Sequence, residues 1–153
     1  MLRKMKYKLG FDIWGITLFL LIMVPNFIWF AVPAPNDILR KESITPIIDT
    51  IASVFQIIMV AALCGIVQIE CKKPMMKQFF VGIVIAILMY FLGWIFYYKG
   101  IVNLVIVLDL CIAPCVSFVL FSIARKNVIA LISAILFMIC HAIYGVMNFK
   151  LVS

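Results

Sequence analysis

Residues 78–123 read QFFVGIVIAILMYFLGWIFYYKGIVNLVIVLDLCIAPCVSFVLFSI. This stretch contains two charged residues, Lys99 and Asp109. An α-helix needs about 20 apolar residues to cross the hydrocarbon of a bilayer, so the stretch is long enough for two crossings. The pair Lys99-Gly100 divides it near the middle. Because this turn is short, the two spans are predicted to pack as antiparallel neighbours.

Three more apolar runs of similar length flank this pair. Of the 153 residues, 67% are hydrophobic and 12% are charged. A soluble domain is roughly half apolar and a quarter charged, and a chain this small cannot bury such an excess in one core. We therefore predict an all-α, polytopic membrane helix bundle that forms a single transmembrane domain over residues 1–153. Its five transmembrane helices are predicted at Gly10–Phe30, Pro46–Ile69, Gln78–Tyr98, Ile101–Ile123 and Asn127–Phe149.

The loop charges predict an orientation. With the N-terminus inside, nine Lys and Arg residues lie on the inner side and four on the outer side. The positive-inside rule then predicts a multi-pass protein of the cell (plasma) membrane with a cytoplasmic N-terminus and an extracellular C-terminus. The first apolar run is longer than the core of a cleaved signal peptide, so we interpret it as a retained span. The inner residues are Arg3, Lys4, Lys6, Lys8, Lys72, Lys73, Lys77, Arg125 and Lys126, and the outer ones are Arg40, Lys41, Lys99 and Lys150.

Several function classes are disfavoured. The net charge of +7 falls in short clusters between apolar runs, which is typical of loops beside anionic headgroups, so we expect no nucleic-acid partner. With one histidine and no phosphate loop or nucleophile elbow, no cofactor is predicted and an enzyme is the least favoured class. Cys111 and Cys115 lie one turn apart and Cys140 adjoins His141, but proximity alone does not predict a metal site.

Polar side chains concentrate in the half of the bundle predicted to face outward. Asp109 lies 8 residues after Ile101, and His141 lies 8 residues before Phe149, so both are roughly 12 Å deep. Because these two spans form a tight hairpin, Asp109 and His141 are expected to lie close enough to touch. Ionisable groups inside hydrocarbon are costly and tend to mark functional sites, although a purely structural polar pair is an equally weighted alternative.

Other polar residues share this half. Asp49 and Gln56 are seven residues apart and hence on one helical face, and Asn26 follows a proline that disturbs the first span. The alternative for Asp49 is a helix-start carboxylate, and for the amides it is hydrogen bonding between helices. These positions together predict a polar pocket open to the outside and covered by the Pro33–Thr45 loop. The candidate ligand-binding residues are Asp109, His141, Gln56, Asn26, Asp49 and Tyr144.

Two resemblances follow from the first loop. The stretch MVPNFIWFAVPAPND at 23–37, with SITP at 43–46, resembles uncharacterised small membrane proteins of low-GC Gram-positive bacteria. In layout, five spans with the longest loop after the first resemble the tryptophan-rich sensory/translocator (TspO) family. That resemblance implies a porphyrin- or lipid-binding pocket under the loop. Thr45-Pro46 stands where that family has Trp-x-Pro-Pro, so the motif itself is missing here.

The leading hypothesis is a protein that binds or transports a small molecule in the outer half of the bundle. The ligand would be polar, cationic or like a porphyrin or lipid, and Asp109 and His141 would form a titratable pair. The alternative is a non-catalytic accessory or immunity-type protein that binds another membrane protein, or a second copy of itself. A membrane-embedded enzyme ranks third.

Overall fold

A computed structural model of the protein describes residues 6–69 and 76–152, with side chains described as far as residue 149. Within these residues it contains five long α-helices, each long and apolar enough to cross a membrane. The prediction of an all-α, multi-pass bundle is thereby confirmed. The helices are α1 (Ile13–Ala31), α2 (Pro46–Gly65), α3 (Lys77–Tyr98), α4 (Leu104–Ala124) and α5 (Val128–Val152).

The helices pack in an order that the short turns predicted. α3 packs on α4 and α4 packs on α5, and α5 then packs on α2, so these four form a continuous wall. α1 makes fewer close contacts and lies against α2, α3 and α4. Alanines on the buried face of α5, Ala130 and Ala134, are fully buried, and small residues of this kind allow neighbouring helix backbones to approach closely.

The second span is shorter than predicted, because α2 ends at Gly65 and not at Ile69. Residues Ile66–Gln68 form strand β2, which pairs antiparallel with β1 (Tyr7–Leu9). Ile66 and Val67 are β-branched, which favours the strand over the helix. Hydropathy does not separate these two states in so short an apolar run. The end of the bundle that carries these strands is called the sheet end.

The opposite end of the bundle carries the long loop between α1 and α2 and is called the loop end. This loop includes one short 3-10 turn, Ile38–Arg40, and leads into Pro46 at the first position of α2. Proline is favoured there because the first helical N–H has no partner within the helix. Some residues counted for the orientation lie outside the described residues: Arg3, Lys4, Lys72 and Lys73, together with the side chain of Lys150.

The ends of α1 and α4 are capped by polar side chains. Asp12 accepts hydrogen bonds from the backbone N–H groups of Trp14 (3.1 Å) and Gly15 (3.4 Å), so α1 begins at Ile13 and not at Gly10 as predicted. Asn103 likewise accepts from the N–H of Ile106 at 2.9 Å and begins α4. These caps satisfy donors that a helix start otherwise leaves unpaired.

Candidate functional site

A cavity of about 240 Å³ lies in the middle of the bundle, and all five helices contribute to its wall. We call it the central chamber. Much of its wall is aromatic or aliphatic, and four polar side chains interrupt this surface. Its lining residues are Phe19, Ile22, Met23, Asn26, Phe30, Gln56, Tyr90, Leu110, Pro114, Phe118, Phe137 and His141.

A second cavity of about 220 Å³, called the side chamber, adjoins the first between α2 and α5. The two chambers share Gln56, Phe137 and His141, so these three side chains border both. The wall of the side chamber is completed by Asp49, Ala52, Ser53 and Tyr144.

Five of the six predicted ligand-binding residues line these chambers. Asn26 lines the central chamber, Asp49 and Tyr144 line the side chamber, and Gln56 and His141 line both. The seven-residue spacing of Asp49 and Gln56 thus places both at the same chamber. Whether any of these residues binds a ligand stays a prediction.

Asp109 lies elsewhere. It lines neither chamber, and its carboxylate lies directly against Gly93 of α3, where a methyl group would collide with it. The structure shows no hydrogen bond or ion pair between Asp109 and His141, both of which are described, so the expected pair is not formed. The sequence predicts how deep each residue lies along its helix axis, but not the direction in which its side chain points. The rotation of α4 about its axis separates Asp109 from His141, because Leu110, Pro114 and Phe118 are the residues of α4 that line the central chamber.

Two of the polar side chains in the chambers have no partner in the described part of the chain. The Nδ1 atom of His141 is buried without a hydrogen bond, and its ring lies tilted against Phe137 with centroids 4.4 Å apart. Gln56 is half-buried and makes no hydrogen bond to a described residue, so its amide is available to a molecule in the chambers. Unsatisfied buried polar groups are costly, and a bound molecule is one way to satisfy them.

The side-chain amide of Asn26 has hydrogen-bond partners for part of its polar atoms. Asn26 donates from Nδ2 to the hydroxyl of Tyr90 at 2.8 Å and to the carbonyl of Ile22 at 3.2 Å. Its Oδ1 accepts no hydrogen bond from a described residue. Tyr90 was missed in the sequence, where it is one tyrosine in an apolar run without a spacing signal. The pair therefore presents one acceptor and one hydroxyl to the central chamber.

Asp49 is held from one side. Thr45, which is 8% exposed, donates from Oγ1 to Asp49 Oδ1 at 3.0 Å. Asn148 of α5 donates to the same threonine at 3.1 Å and accepts from the N–H of Ile44 at 2.9 Å. Within the described residues no Lys, Arg or His forms an ion pair with Asp49. Its carboxylate therefore faces the side chamber without a balancing positive charge.

The long loop crosses the loop end of the bundle and is fastened by one carboxylate that the sequence did not single out. Asp37 accepts from Trp29 Nε1 at 2.9 and 3.1 Å, from the Tyr97 hydroxyl at 2.8 Å and from Arg40 Nε at 2.9 Å. Arg40 also donates to the Trp29 carbonyl and lies 4.9 Å over its ring. These bonds join the end of α1, the loop and α3.

This environment changes the acidity of Asp37. Burial acts to raise its pKa, but the hydrogen bonds from Tyr97, Trp29, the Ala34 N–H and Arg40 outweigh burial together. The pKa of Asp37 is therefore below its ordinary value, and the carboxylate is ionised at neutral pH. A charged acceptor strengthens each of the bonds that fasten the loop.

The sheet end is closed by a different set of contacts. Arg125, which follows α4, contacts the carboxylate of Asp12 at 2.9 and 3.1 Å. Asn127 donates to the carbonyls of Ala62 (2.9 Å) and Ile66 (3.0 Å), which fixes the end of α2. The chambers therefore lie between two fastened ends of the bundle.

No protein-family model matches this chain, and comparison with curated proteins and with solved structures finds no match. The resemblance in layout to the tryptophan-rich sensory/translocator family stays a prediction.

Proposed function

We propose that this multi-pass membrane protein binds, and carries across the membrane, a small molecule held in the central and side chambers. The observation that supports the proposal is a set of polar groups without partners on the chamber walls, chiefly Gln56 and the Nδ1 atom of His141. A bundle that needed these groups only as links between helices would pair them with each other. Here the two side chains that carry them border the cavities between α2 and α5 without such a pairing.

The proposed site keeps five of the predicted residues, Asn26, Gln56, Asp49, His141 and Tyr144, and omits Asp109. We place the protein in a bacterial plasma membrane with the loop end outside, since the basic residues Lys6, Lys8, Lys77, Arg125 and Lys126 lie at the sheet end. In this orientation the side chamber, which Asp49 in the first turn of α2 lines, lies toward the outer surface.

A thermal-shift screen of the purified chain tests the proposal. The probes are metabolites, porphyrins, phospholipids and organic cations, and a ligand raises the unfolding midpoint only if it binds the folded state. We expect a stabilising ligand whose effect is lost in Gln56→Leu and retained in Asp109→Asn. The second variant is the matched control, because it changes a membrane-embedded polar residue outside the chambers. A screen without a hit, or a hit that both variants keep, would refute binding in the chambers.

A second candidate function rests on Asp109. Within the described residues this carboxylate has no hydrogen bond and no ion pair, yet it lies in a spanning helix against Gly93. A carboxylate in this position is costly unless it meets a partner, which favours an accessory protein that binds another membrane protein or a second copy of itself. We expect such a complex to survive mild detergent in the unmodified chain and to dissociate in Asp109→Leu. A monomer of unchanged size in both would contradict this second function.

A further inference from the structure

We propose that the molecule bound in the chambers is a lipophilic organic cation, with its ammonium group at Asp49 in the side chamber and a ring body in the central chamber. This inference rests on the proposed function and names the class of ligand for the same site. It is carried by the charge, the wall chemistry and the size of the two chambers.

The charge of the chamber walls favours a positively charged ligand. Asp49 is the acidic residue on the chamber walls, and no Lys or Arg lines either chamber. Thr45 donates to Oδ1 of Asp49, while Oδ2 accepts no hydrogen bond from a described residue. Asp49 is half-buried, and a cation that enters the side chamber supplies a countercharge as it displaces water from this carboxylate. An anionic ligand would meet the same carboxylate with no basic group to offset it.

The aromatic rings beside Asp49 fit an ammonium group. Phe137 and Tyr144 line the side chamber together with this carboxylate, and the His141 ring lies between them, with centroids 4.4 Å from Phe137 and 6.1 Å from Tyr144. Ring faces attract cations, most strongly where water is excluded. A quaternary ammonium also needs no hydrogen-bond acceptor beyond the nearby charge, which agrees with a site that offers one carboxylate and several rings.

The central chamber fits the rest of the molecule. Its apolar wall includes Phe19, Phe118 and Phe137, and its volume is about 240 Å³. A dry cavity of about 150 Å³ in another protein holds benzene, so this chamber holds a body of one or two rings. A porphyrin or a whole phospholipid is too large for it. Gln56 lies at the border of both chambers and is placed to bond a polar atom between the ring body and the cation.

Titration calorimetry of the full-length chain in detergent tests the charge requirement. The probe is (2-naphthylmethyl)trimethylammonium, and its partner is the neutral isostere with carbon in place of the nitrogen. The fixed charge of the probe removes any protonation of the ligand from the comparison. We expect the cation to bind the unmodified chain at least about tenfold more tightly than the neutral isostere.

The variant Asp49→Asn locates that requirement. It keeps an oxygen for the Thr45 hydroxyl and removes the charge, so we expect its affinity for the cation to fall at least about tenfold while its affinity for the isostere is unchanged. Asp109→Asn is the matched control and should bind both probes as the unmodified chain does. If Asp49→Asn does not fold, the comparison of the two probes on the unmodified chain decides alone.

These experiments distinguish a failure of the inference about the cation from a failure of the proposed function. Equal binding of cation and isostere, lost in Gln56→Leu, would overturn the cationic class and leave the proposed function standing. Binding of the cation that Asp49→Asn does not weaken would overturn the assignment of the ammonium to Asp49. If neither probe binds and the broad screen also finds no Gln56-dependent ligand, both the inference and the proposed function are refuted.

Discussion

The two ends of α1 are held by opposite kinds of contact. At the sheet end, α1 approaches α2 so closely that a Cβ on Gly15 would lie 2.5 Å from the carbonyl oxygen of Leu63. The strand pair β1–β2 and the Asp12–Arg125 ion pair hold the same end. At the loop end, α1 is joined to α3 by side-chain hydrogen bonds, from Trp29 and Tyr97 to Asp37 and from the Tyr98 hydroxyl to the Val32 carbonyl. One end is held by backbone packing, and the other by a polar hub.

This difference indicates which end can open. Backbone packing and a strand ladder yield only when helices move apart, since closely packed interfaces do not deform gradually. A hub of side-chain hydrogen bonds can exchange its partners for water without displacing a helix. The chambers lie between these ends, and the part of α1 that borders them carries Pro25, whose ring removes a helical hydrogen bond. The loop end is therefore the end whose contacts can be exchanged without moving a helix.

The largest effect is expected from Asp37→Ala. The change leaves Trp29, Tyr97 and Arg40 without their common acceptor, and each hydrogen bond to a charged group contributes about 1.5–3 kcal/mol. We expect the free energy of unfolding in detergent to fall by about 4 kcal/mol. Chemical denaturation followed by circular dichroism measures it. Asp37→Asn keeps one acceptor oxygen and removes the charge, so it should lose less than half as much; no loss at all in Asp37→Asn would contradict a role for the charge.

A smaller effect is expected from Gly15→Ala. The added methyl group would meet the Leu63 carbonyl, which is backbone and cannot move aside, so α1 must shift away from α2. Overpacking of this kind costs about 1–3 kcal/mol, and we expect about 2 kcal/mol in the same denaturation assay. Gly65→Ala is the matched control, since nothing lies within 4 Å of a Cβ at that position. Similar losses in the two variants would show that the close approach is not what holds the sheet end.

Arg125→Ala should weaken the sheet end by less than either change. Asp12, whose side chain is 10% exposed, loses its ion-pair partner but still caps α1 through the N–H groups of Trp14 and Gly15. We expect a loss of about 1.5 kcal/mol, which Arg125→Lys recovers only in part because lysine cannot bind both carboxylate oxygens as a planar fork. A loss larger than that of Asp37→Ala would reverse the comparison between the ends.

Much of this architecture was predictable from the sequence, because hydropathy reports depth in the membrane. The five spans, the packing order of α3, α4 and α5, and the shared face of Asp49 and Gln56 all follow from apolar length, turn length and helical spacing. What hydropathy does not report is the rotation of a helix about its axis. Asp109 and His141 have similar depths, yet Asp109 faces Gly93 while His141 faces the chambers.

The hub at Asp37 was unpredictable for another reason. Its partner Tyr97 lies 60 residues away in the chain, and the two meet only because the loop crosses the end of α3. An aspartate in a polar loop carries no local signal of such a contact. The strand β2 was missed in a similar way, since Ile66 and Val67 continue the hydropathy of α2 and the strand pairs with residues near the N-terminus.

The smallest expected effect is a dependence of stability on pH. The contacts of Asp37 at the loop end involve a charge, whereas the packing of Gly15 at the sheet end does not. Because the folded state lowers the pKa of Asp37, its carboxylate stabilises the protein fully above the unfolded-state value of about 3.9. That contribution is lost as the pH falls through the lower folded-state value. The difference in unfolding free energy between the unmodified chain and Asp37→Asn should therefore be constant from pH 7 to pH 5 and shrink below about pH 3.9. The difference between Gly15→Ala and the unmodified chain is steric and should not change over this range. If the Asp37→Asn difference also stayed constant down to pH 3, the loop would be held by the geometry of its hydrogen bonds and not by the charge of their acceptor.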